Sequence, residues 1–356
     1  MKIVIVGAGA IGCWVGAQLA RAEHAVTLIG REALVQAVQQ HGLQVHFVDG
    51  SQWRLDSKYI HASTALSADI LQGADAIILG MKAYAVAAAI AELQRFGDLI
   101  KDTAIIGFQN GYGSDDLLAQ AFPTQTVIAA TTTTPVAVEA PGVIRIERLD
   151  GGIGWADVRP AANNVKRRAI DFAQLWTLPR ASRPTHYADY RAMRWSKLLL
   201  NCIGNASGAI LDMPPAQLFA DPRVFKFEMR MVREILAVMR AMHVAVVDLP
   251  GYPARSLARA VTWLPDPILH KLLAKRLARG RGDKRPSLYY DVVNHARHSE
   301  VEWLNGAVAS AGAKYGVPTP VNAVLNRVLL DIVAGHADAK EWRGVVGKLI
   351  STPGTG

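Results

Sequence analysis

Cysteine is nearly missing from this sequence. Its 356 residues include two, Cys13 and Cys202. Two thiols cannot build a disulfide framework or a cysteine-based metal centre. They suit a reducing compartment, so the expectation is a cytoplasmic protein whose cysteines fill apolar gaps and whose sites hold no metal. Long apolar runs are also missing. No stretch of about 18 apolar residues reads as a membrane span, and no membrane partner is expected. Charge is sparse at 19% of residues, against 51% apolar, which excludes a disordered, highly charged chain.

The one basic concentration lies between residues 255 and 285. It carries nine Lys/Arg against Asp266 and Asp283, a net +7 within an overall +9. Its only aromatic residue is Trp263, so it lacks the interleaved rings of a single-strand binding surface, and no nucleic acid is expected as a partner. It reads as a solvated helical hairpin with basic outer faces; an anion-attracting surface is the alternative. The helical pattern over 257–279 also offers a surface for a homodimer.

The chain is long for one hydrophobic core, so two domains are expected. Lys2–Val6 is short, β-branched and apolar, which predicts a buried strand. A glycine-rich turn and a helix to about residue 22 follow. The first twenty residues superficially resemble a secretory leader, but Gly7, Gly9, Gly12 and Gly16 fit strand, turn and helix better. Further strands are expected at Ala25–Ile29, 74–79, 103–108 and 126–133, with helical segments such as 83–96 between them. Alternating strands and helices imply a parallel sheet covered on both faces. A hairpin or edge strands are expected at Val143–Ile146 and 151–155. From about residue 187 long helical patterns take over, at 190–203, 222–242, 257–279 and 288–315. The expected fold is therefore α/β: a Rossmann-type, doubly wound parallel sheet over residues 1–184, and an all-helical second domain over 185–350.

Gly7-Ala8-Gly9-Ala10-Ile11-Gly12 matches G-x-G-x-x-G directly after a predicted strand and at the start of a predicted helix. Gly7 would permit the tight turn, Gly9 would let backbone approach a pyrophosphate, and Gly12 would let helix and strand pack closely. The helix N-terminus then offers N–H groups and partial positive charge to phosphates. After the second strand the first polar residue is Arg31, where NAD enzymes place an acid. A guanidinium binds phosphate bidentately, so NADPH is expected over NADH, although Glu32 follows immediately. Two polar clusters follow later strands. Lys82 could contact substrate or ribose and Asn110 could position the nicotinamide; each could instead cap the next helix.

In the second half, Lys197, Asn201 and Asn205 fall at i, i+4 and i+8 among Leu198, Leu199, Leu200 and Ile203. On a single helix they would share one face. Polar groups on a buried helix need partners, because unpaired burial costs ~2–7 kcal/mol each. A ligand cleft would supply them; backbone carbonyls are the other source.

Together these signals, with Lys82 in Met-Lys-Ala-Tyr, Asn110 in Gln-Asn-Gly and the run Ser-Glu-Val-Glu-Trp-Leu-Asn-Gly at 299–306, resemble the ketopantoate reductase (2-dehydropantoate 2-reductase) family. The resemblance implies an oxidoreductase of pantothenate biosynthesis that reduces a small 2-keto acid with NADPH. By the resemblance Lys197 is the general acid, and Glu300 bonds the substrate or orients Lys197. Asn201 and Asn205 hold substrate polar groups, and Ser287 meets the substrate carboxylate. Asn110 lies beside nicotinamide and substrate, Lys82 lies at the cleft, and Arg31 meets the 2′-phosphate. One departure concerns the substrate side: Ser287 and Glu300 are thirteen residues apart where the family pattern has twelve, so the chain must bulge or break between Asp291 and Glu300 or move Ser287 away. A different 2-keto or 2-hydroxy acid and a non-catalytic NADP-binding role are the alternatives. His295 and His298 read as polar helix residues.

Overall fold

Residues 1–159, 172–175, 184–280 and 285–354 are described by the structure, a computed structural model. The chain forms two units. The first is Met1–Gln109, Gly113–Met193 and Leu249–Tyr252; the second is Asn110–Tyr112, Arg194–Asp248 and Pro253–Gly356.

The first unit's strands are β1 (Lys2–Val6), β2 (Ala25–Ile29), β3 (Leu43–Phe47), β4 (Gln52–Leu55), β5 (Ile60–Ser63) and β6 (Ala76–Leu79). They continue with β7 (Ala104–Gly107), β8 (Val127–Thr132), β9 (Val136–Ala140), β10 (Val143–Ile146), β11 (Ile153–Arg159) and β12 (Thr185–His186). Eight of them form the main sheet, in the order β12-β11-β8-β7-β6-β1-β2-β5. From β5 to β8 every pairing is parallel. β11 then runs antiparallel to β8.

Period-two alternation explains why β1 sits in the middle. Ile3 and Ile5 enter one apolar cluster while Val4 and Val6 enter another, and a strand buried on both faces must be apolar at every position. The first cluster is closed by α1 (Ala10–Arg21), through Trp14, Val15 and Leu19, and by Val38 of α2 (Glu32–His41). The second is closed by α3 (Ala68–Leu71), α4 (Val86–Gln94) and α5 (Ser114–Ala121), through Leu71, Leu93 and Leu118. This is the doubly covered α/β sheet read from the sequence.

A second sheet, β4-β3-β10-β9, packs on the α1 face. Sequence patterning reached only part of it. β10 was expected as a hairpin or edge strand, and it does pair antiparallel with β9, but its other neighbour is β3, in parallel, about a hundred residues earlier. Such pairing is nonlocal and leaves no local signature. On the other side of β3 the approach to β4 is close: at Gly42 (φ 72°) a Cβ would lie 2.2 Å from the Leu55 carbonyl oxygen.

The second unit is helical. Its helices are α6 (Tyr190–Cys202, which starts in the first unit), α7 (Ala206–Leu211), α8 (Pro215–Ala220), α9 (Pro222–Ala241) and α10 (Ala254–Trp263). They continue with α11 (Asp266–Gly280), α12 (Tyr289–Val293), α13 (Asn305–Tyr315), α14 (Pro320–Val333) and α15 (Val346–Ile350). α9 is central. It starts at Asp221-Pro222, where the aspartate accepts from the Arg223 N–H (2.8 Å) and proline occupies a position that needs no donor. Phe225, Met229, Val232, Ile235 and Met239 are then buried along it. The two longest expected helices are interrupted. The 257–279 pattern divides into α10 and α11 at Leu264-Pro265, with Leu264 extended before the proline. The 288–315 pattern divides into α12, a 3₁₀ turn at Glu300–Trp303 and α13, with His295 left-handed (φ 48°) in the gap.

Glu234 of α9 clamps the start of α14. It accepts from the Val321 N–H (2.9 Å), the Asn322 N–H (3.0 Å) and Asn322 Nδ2 (2.7 Å). Burial pushes its carboxyl above the usual range, and the Asn322 and Val321 donors pull it back. Glu234→Ala leaves two helix N–H groups unmatched and the Asn322 amide with the Met231 carbonyl as its acceptor (3.2 Å), so urea denaturation should show a loss of about 2–4 kcal/mol. A loss within about 0.5 kcal/mol, the range of ordinary surface changes, would show that the clamp contributes nothing.

Candidate functional site

Chain order reverses beside β1. Its neighbours are β2 and β6, and the later strands extend the sheet on the β6 side. In open α/β sheets the crevice outside the carboxyl ends at such a point is the ligand position. The glycine turn lies there. Gly7 has φ 94°, and a Cβ on it would lie 2.5 Å from the Met81 backbone nitrogen. A Cβ on Gly12 would lie 2.3 Å from the Gly7 carbonyl oxygen, so α1 packs directly on the turn. Gly9 differs: a Cβ there would meet nothing within 4 Å. No contact within the protein requires glycine at that position, so the open side is where a ligand can approach backbone. The following helix, with Ala10, Ile11 and Gly12 in its first turn, has no side-chain cap and no acid in that turn. An uncapped helix N-terminus with a glycine-lined approach fits a pyrophosphate.

The N–H groups of Gly7 and Ala8 both donate to the Ile29 carbonyl, at 3.1 and 3.0 Å. The end of β2 is thereby fixed to the turn, and Arg31 follows two residues later. Arg31 is exposed and is the N-cap of α2. The Glu32 carboxylate, next in the chain, accepts from Gln36 Nε2 (2.9 Å) along α2. Met81 and Lys82 follow β6, both half-buried. Gln109 follows β7, is buried, and donates through Nε2 to the carbonyl oxygens of Leu79 (2.8 Å) and Met81 (3.3 Å).

The second unit contains the residues that the sequence suggests for the substrate side. Along α6, Arg194, Trp195, Ser196, Leu198, Leu199 and Cys202 are buried, while Lys197, Leu200 and Asn201 are partly exposed. Lys197 and Asn201 are one turn apart and share a face. Asn201 Nδ2 donates to Asn110 Oδ1 (3.2 Å). Next to Asn110, Gly111 has φ 82°, and a Cβ on it would lie 2.3 Å from the Trp303 carbonyl oxygen. The Tyr112 N–H donates to that same oxygen (3.0 Å), and the Tyr112 ring lies 5.4 Å from the Trp195 ring. The glycine of the Asn-Gly pair is therefore required by a tertiary contact as well as by the turn. Glu300, which is buried, opens the 3₁₀ turn that ends at Trp303.

Asn205 is not on α6. The helix ends at Cys202, Gly204 is left-handed (φ 62°), and Asn205 is the N-cap of α7. The expected single-helix ladder therefore holds for Lys197 and Asn201 only. Asn205 is buried; its Nδ2 donates to Ser287 Oγ (3.3 Å) and its Oδ1 accepts from the Leu288 N–H (3.2 Å). Between Asp291 and Glu300 the chain breaks after Val293 and turns at the left-handed His295, and Ser287 lies beside Asn205. Ser299 closes that gap by donating from Oγ to Asp291 Oδ2 (2.9 Å). His295 thus lies in a turn, and among the described residues no group of three His, Cys, Asp or Glu could hold a metal ion.

Two features escaped sequence reasoning. Glu228, fully buried on α9, accepts from the Gly204 N–H (2.7 Å) and the Ser207 hydroxyl, and so fixes the break that delivers Asn205. Its only sequence signal is an acid amid the apolar residues of 224–232. The other is the Gly111–Trp303 contact, which joins residues far apart in sequence.

A parallel sheet with this glycine turn at its switch point, followed by a helical unit presenting lysine, asparagines and a glutamate, defines a two-part, dinucleotide-dependent oxidoreductase. The chain belongs to the ketopantoate reductase family: the family model described as ketopantoate reductase PanE/ApbA matches residues 3–159, and its C-terminal counterpart matches residues 189–332. The 2-dehydropantoate 2-reductase of Halobacterium salinarum is 28% identical over 334 residues, 94% of this chain and 98% of that one. The enzyme of the same name from Lactococcus lactis is 26% identical, over 90% of this chain and 94% of its own. Among solved structures, a PanE/ApbA family ketopantoate reductase from Ralstonia eutropha JMP134 aligns with TM-score 0.75 and 26% identity, covering 94% of this chain and 99% of that one. D-mandelate dehydrogenase, solved in a ternary structure with NADH and anilino(oxo)acetate, shares the fold at TM-score 0.73 and 24% identity, over 94% of this chain and 99% of that one.

The glycines make a paired prediction. Gly9→Ala should fold with stability changed by no more than about 0.5 kcal/mol, as for an open surface site, yet bind dinucleotide at least about tenfold more weakly. Gly12→Ala should lose both stability and binding. Thermal denaturation and calorimetric titration separate the two. Unchanged dinucleotide affinity in Gly9→Ala would remove the turn as the cofactor site.

Proposed function

We propose that this protein reduces the ketone of a 2-keto acid with NADPH, and that the acid is 2-dehydropantoate, giving pantoate within pantothenate biosynthesis. The observation that carries the substrate side is the Asn201–Asn110 hydrogen bond, with Lys197 one turn earlier on the same face of α6. In this reading residues 1–184 bind the cofactor, and residues 185–350 form the substrate and catalytic domain. The cysteines, both free and buried, accord with a cytoplasmic setting.

Gly7, Ala8, Gly9, Ala10, Ile11 and Gly12 would hold the pyrophosphate, Arg31 the 2′-phosphate, and Lys82 and Asn110 the ribose and nicotinamide end. When bound, the cofactor supplies a hydride to the ketone carbon. The chain supplies the rest. Reduction leaves negative charge on the ketone oxygen; Lys197 stabilises that charge and donates the proton. Asn201 and Asn205 accept and donate to substrate polar groups, Ser287 meets the carboxylate, and Glu300 orients the substrate or Lys197. Asn201 can also position Asn110, because their amides already meet.

A different 2-keto or 2-hydroxy acid is the second reading, supported by the backbone break at His295 between Ser287 and Glu300.

Lys197→Ala should lower kcat on the physiological acid by ~10²–10⁴-fold, the scale of general acid catalysis, with cofactor affinity unchanged. Near-normal turnover would reject the assignment. Steady-state NADPH oxidation with 2-dehydropantoate, set against smaller and aryl 2-keto acids, identifies the substrate. Arg31→Ala should raise the KM for NADPH about 10- to 100-fold, equivalent to ~1.5–3 kcal/mol for a charged hydrogen bond, and leave that for NADH unchanged. Equal effects on both cofactors would remove Arg31 from the 2′-phosphate.

A further inference from the structure

The second unit contains a cavity of about 360 Å³ that none of the substrate-side residues lines. It lies among α9, the segment 243–247 and α10. Its size is within the roughly 300–1,000 Å³ of small-molecule sites. The floor is apolar: Leu236, Met239, Val244 and Ala258 line it, each less than a tenth exposed. Its polar lining is one-signed. Arg240, Arg255 and Arg259 are all at the rim, and no acid lines the cavity.

The arginines are placed without anionic partners. Arg255 uses Nε on the Val246 carbonyl oxygen (3.2 Å), which leaves its terminal amines, and its backbone N–H donates to Asp248. Arg240 and Arg259 have no side-chain hydrogen bond or ion pair among the described residues. Elsewhere in this unit arginines do find carboxylates: Arg233 meets Asp266 (2.6 Å), and Arg285 and Arg343 both meet Asp212 (2.8 Å each). Three guanidiniums around one opening repel one another, and an anion relieves that repulsion with bidentate hydrogen bonds. Trp263, 79% exposed, adds a large apolar surface at the same rim.

The wall is held by a strained residue. α9 ends where His243 turns left-handed (φ 55°), a position that favours glycine. Its N–H donates to the Arg240 carbonyl (3.0 Å), and the Val244 N–H donates to that of Met239 (2.8 Å). That reversal lays Val244 and Val246 along the cavity. A non-glycine residue in this conformation is strained, and such strain gathers at functional sites.

We propose that this cavity is a second ligand site, for an amphipathic anion: a carboxylate or phosphate carried on an apolar body, with the body on the Met239–Ala258 floor and the anion among Arg240, Arg255 and Arg259. A second copy of this chain is a poor occupant, because it would bring further arginines to the same rim. The sequence shows the basic run but not the cavity; α9 and the 243–247 turn supply the floor.

Calorimetry and indole NMR with octyl phosphate, octanol, inorganic phosphate and phosphatidylglycerol vesicles test it. Octyl phosphate should bind one-to-one with Kd below about 1 mM and perturb the Trp263 indole, identified by its loss in Trp263→Phe. Octanol and inorganic phosphate should each bind at least tenfold more weakly. The double variant Arg240→Gln/Arg259→Gln should weaken octyl phosphate at least tenfold while NADPH oxidation without it stays unchanged. The proposal is overturned if octanol binds as well, if the double variant binds normally, or if NADPH competes octyl phosphate away. Binding only to vesicles, or a dimer that protects Trp263, would overturn it equally.

Discussion

At the carboxyl ends of β1 and β6, segments of backbone approach one another with no side chain between them. Gly7, Gly12 and Gly80 line that approach: a Cβ on Gly7 would strike Met81, one on Gly12 would strike the Gly7 carbonyl, and one on Gly80 would lie 2.9 Å from both the Gly7 oxygen and the Gly12 Cα. This contact fixes where α1 begins and where the chain leaves β6, and the Ile29 carbonyl adds the end of β2 to the same point. The glycine turn at the switch point is thus a consequence of backbone packing. Gly9 is the one glycine of the motif that the protein's own packing does not require.

The second unit depends on two inward carboxylates, one buried and one half-buried, more than on local helix signals. Glu228 ends α6 at the right place by accepting from Gly204, and Glu234 starts α14 by accepting from two of its N–H groups. Each replaces water on backbone groups that burial would otherwise leave unmatched. The consequence for the site is direct. Because Glu228 holds the break after Cys202, Asn205 leaves the α6 ladder and reaches Ser287, while Lys197 and Asn201 remain together on α6.

Legibility followed the range of the interaction. β1, β2, β6 and β7 were readable because strands buried on both faces must be apolar throughout, and the glycine turn was readable because its spacing is local. β3, β4 and β9 were not singled out: they are short, partly polar, and made stable by a second sheet whose β10–β3 pairing spans about a hundred residues. The expected helices over 257–279 and 288–315 failed at Pro265 and His295. Apolar periodicity continued through both places, but the residue before a proline is driven to extended backbone, and the left-handed histidine ends its helical pattern. The same turn breaks the chain between Asp291 and Glu300, while Ser287 meets Asn205.

The sequence by itself determined the order of elements, the glycine turn, the basic residue after β2 and the lysine–asparagine face of α6, because each depends on residues within one or two turns or strands of each other. Tertiary structure alone decided that Asn110 meets Asn201, that Gly111 must admit the Trp303 carbonyl, that Asn205 caps a different helix from Lys197, and that three arginines of a basic run and its neighbouring helix ring an apolar cavity. Those contacts join residues tens to hundreds of positions apart. Their energies depend on which groups burial leaves without water, a condition that exists only once the chain has folded.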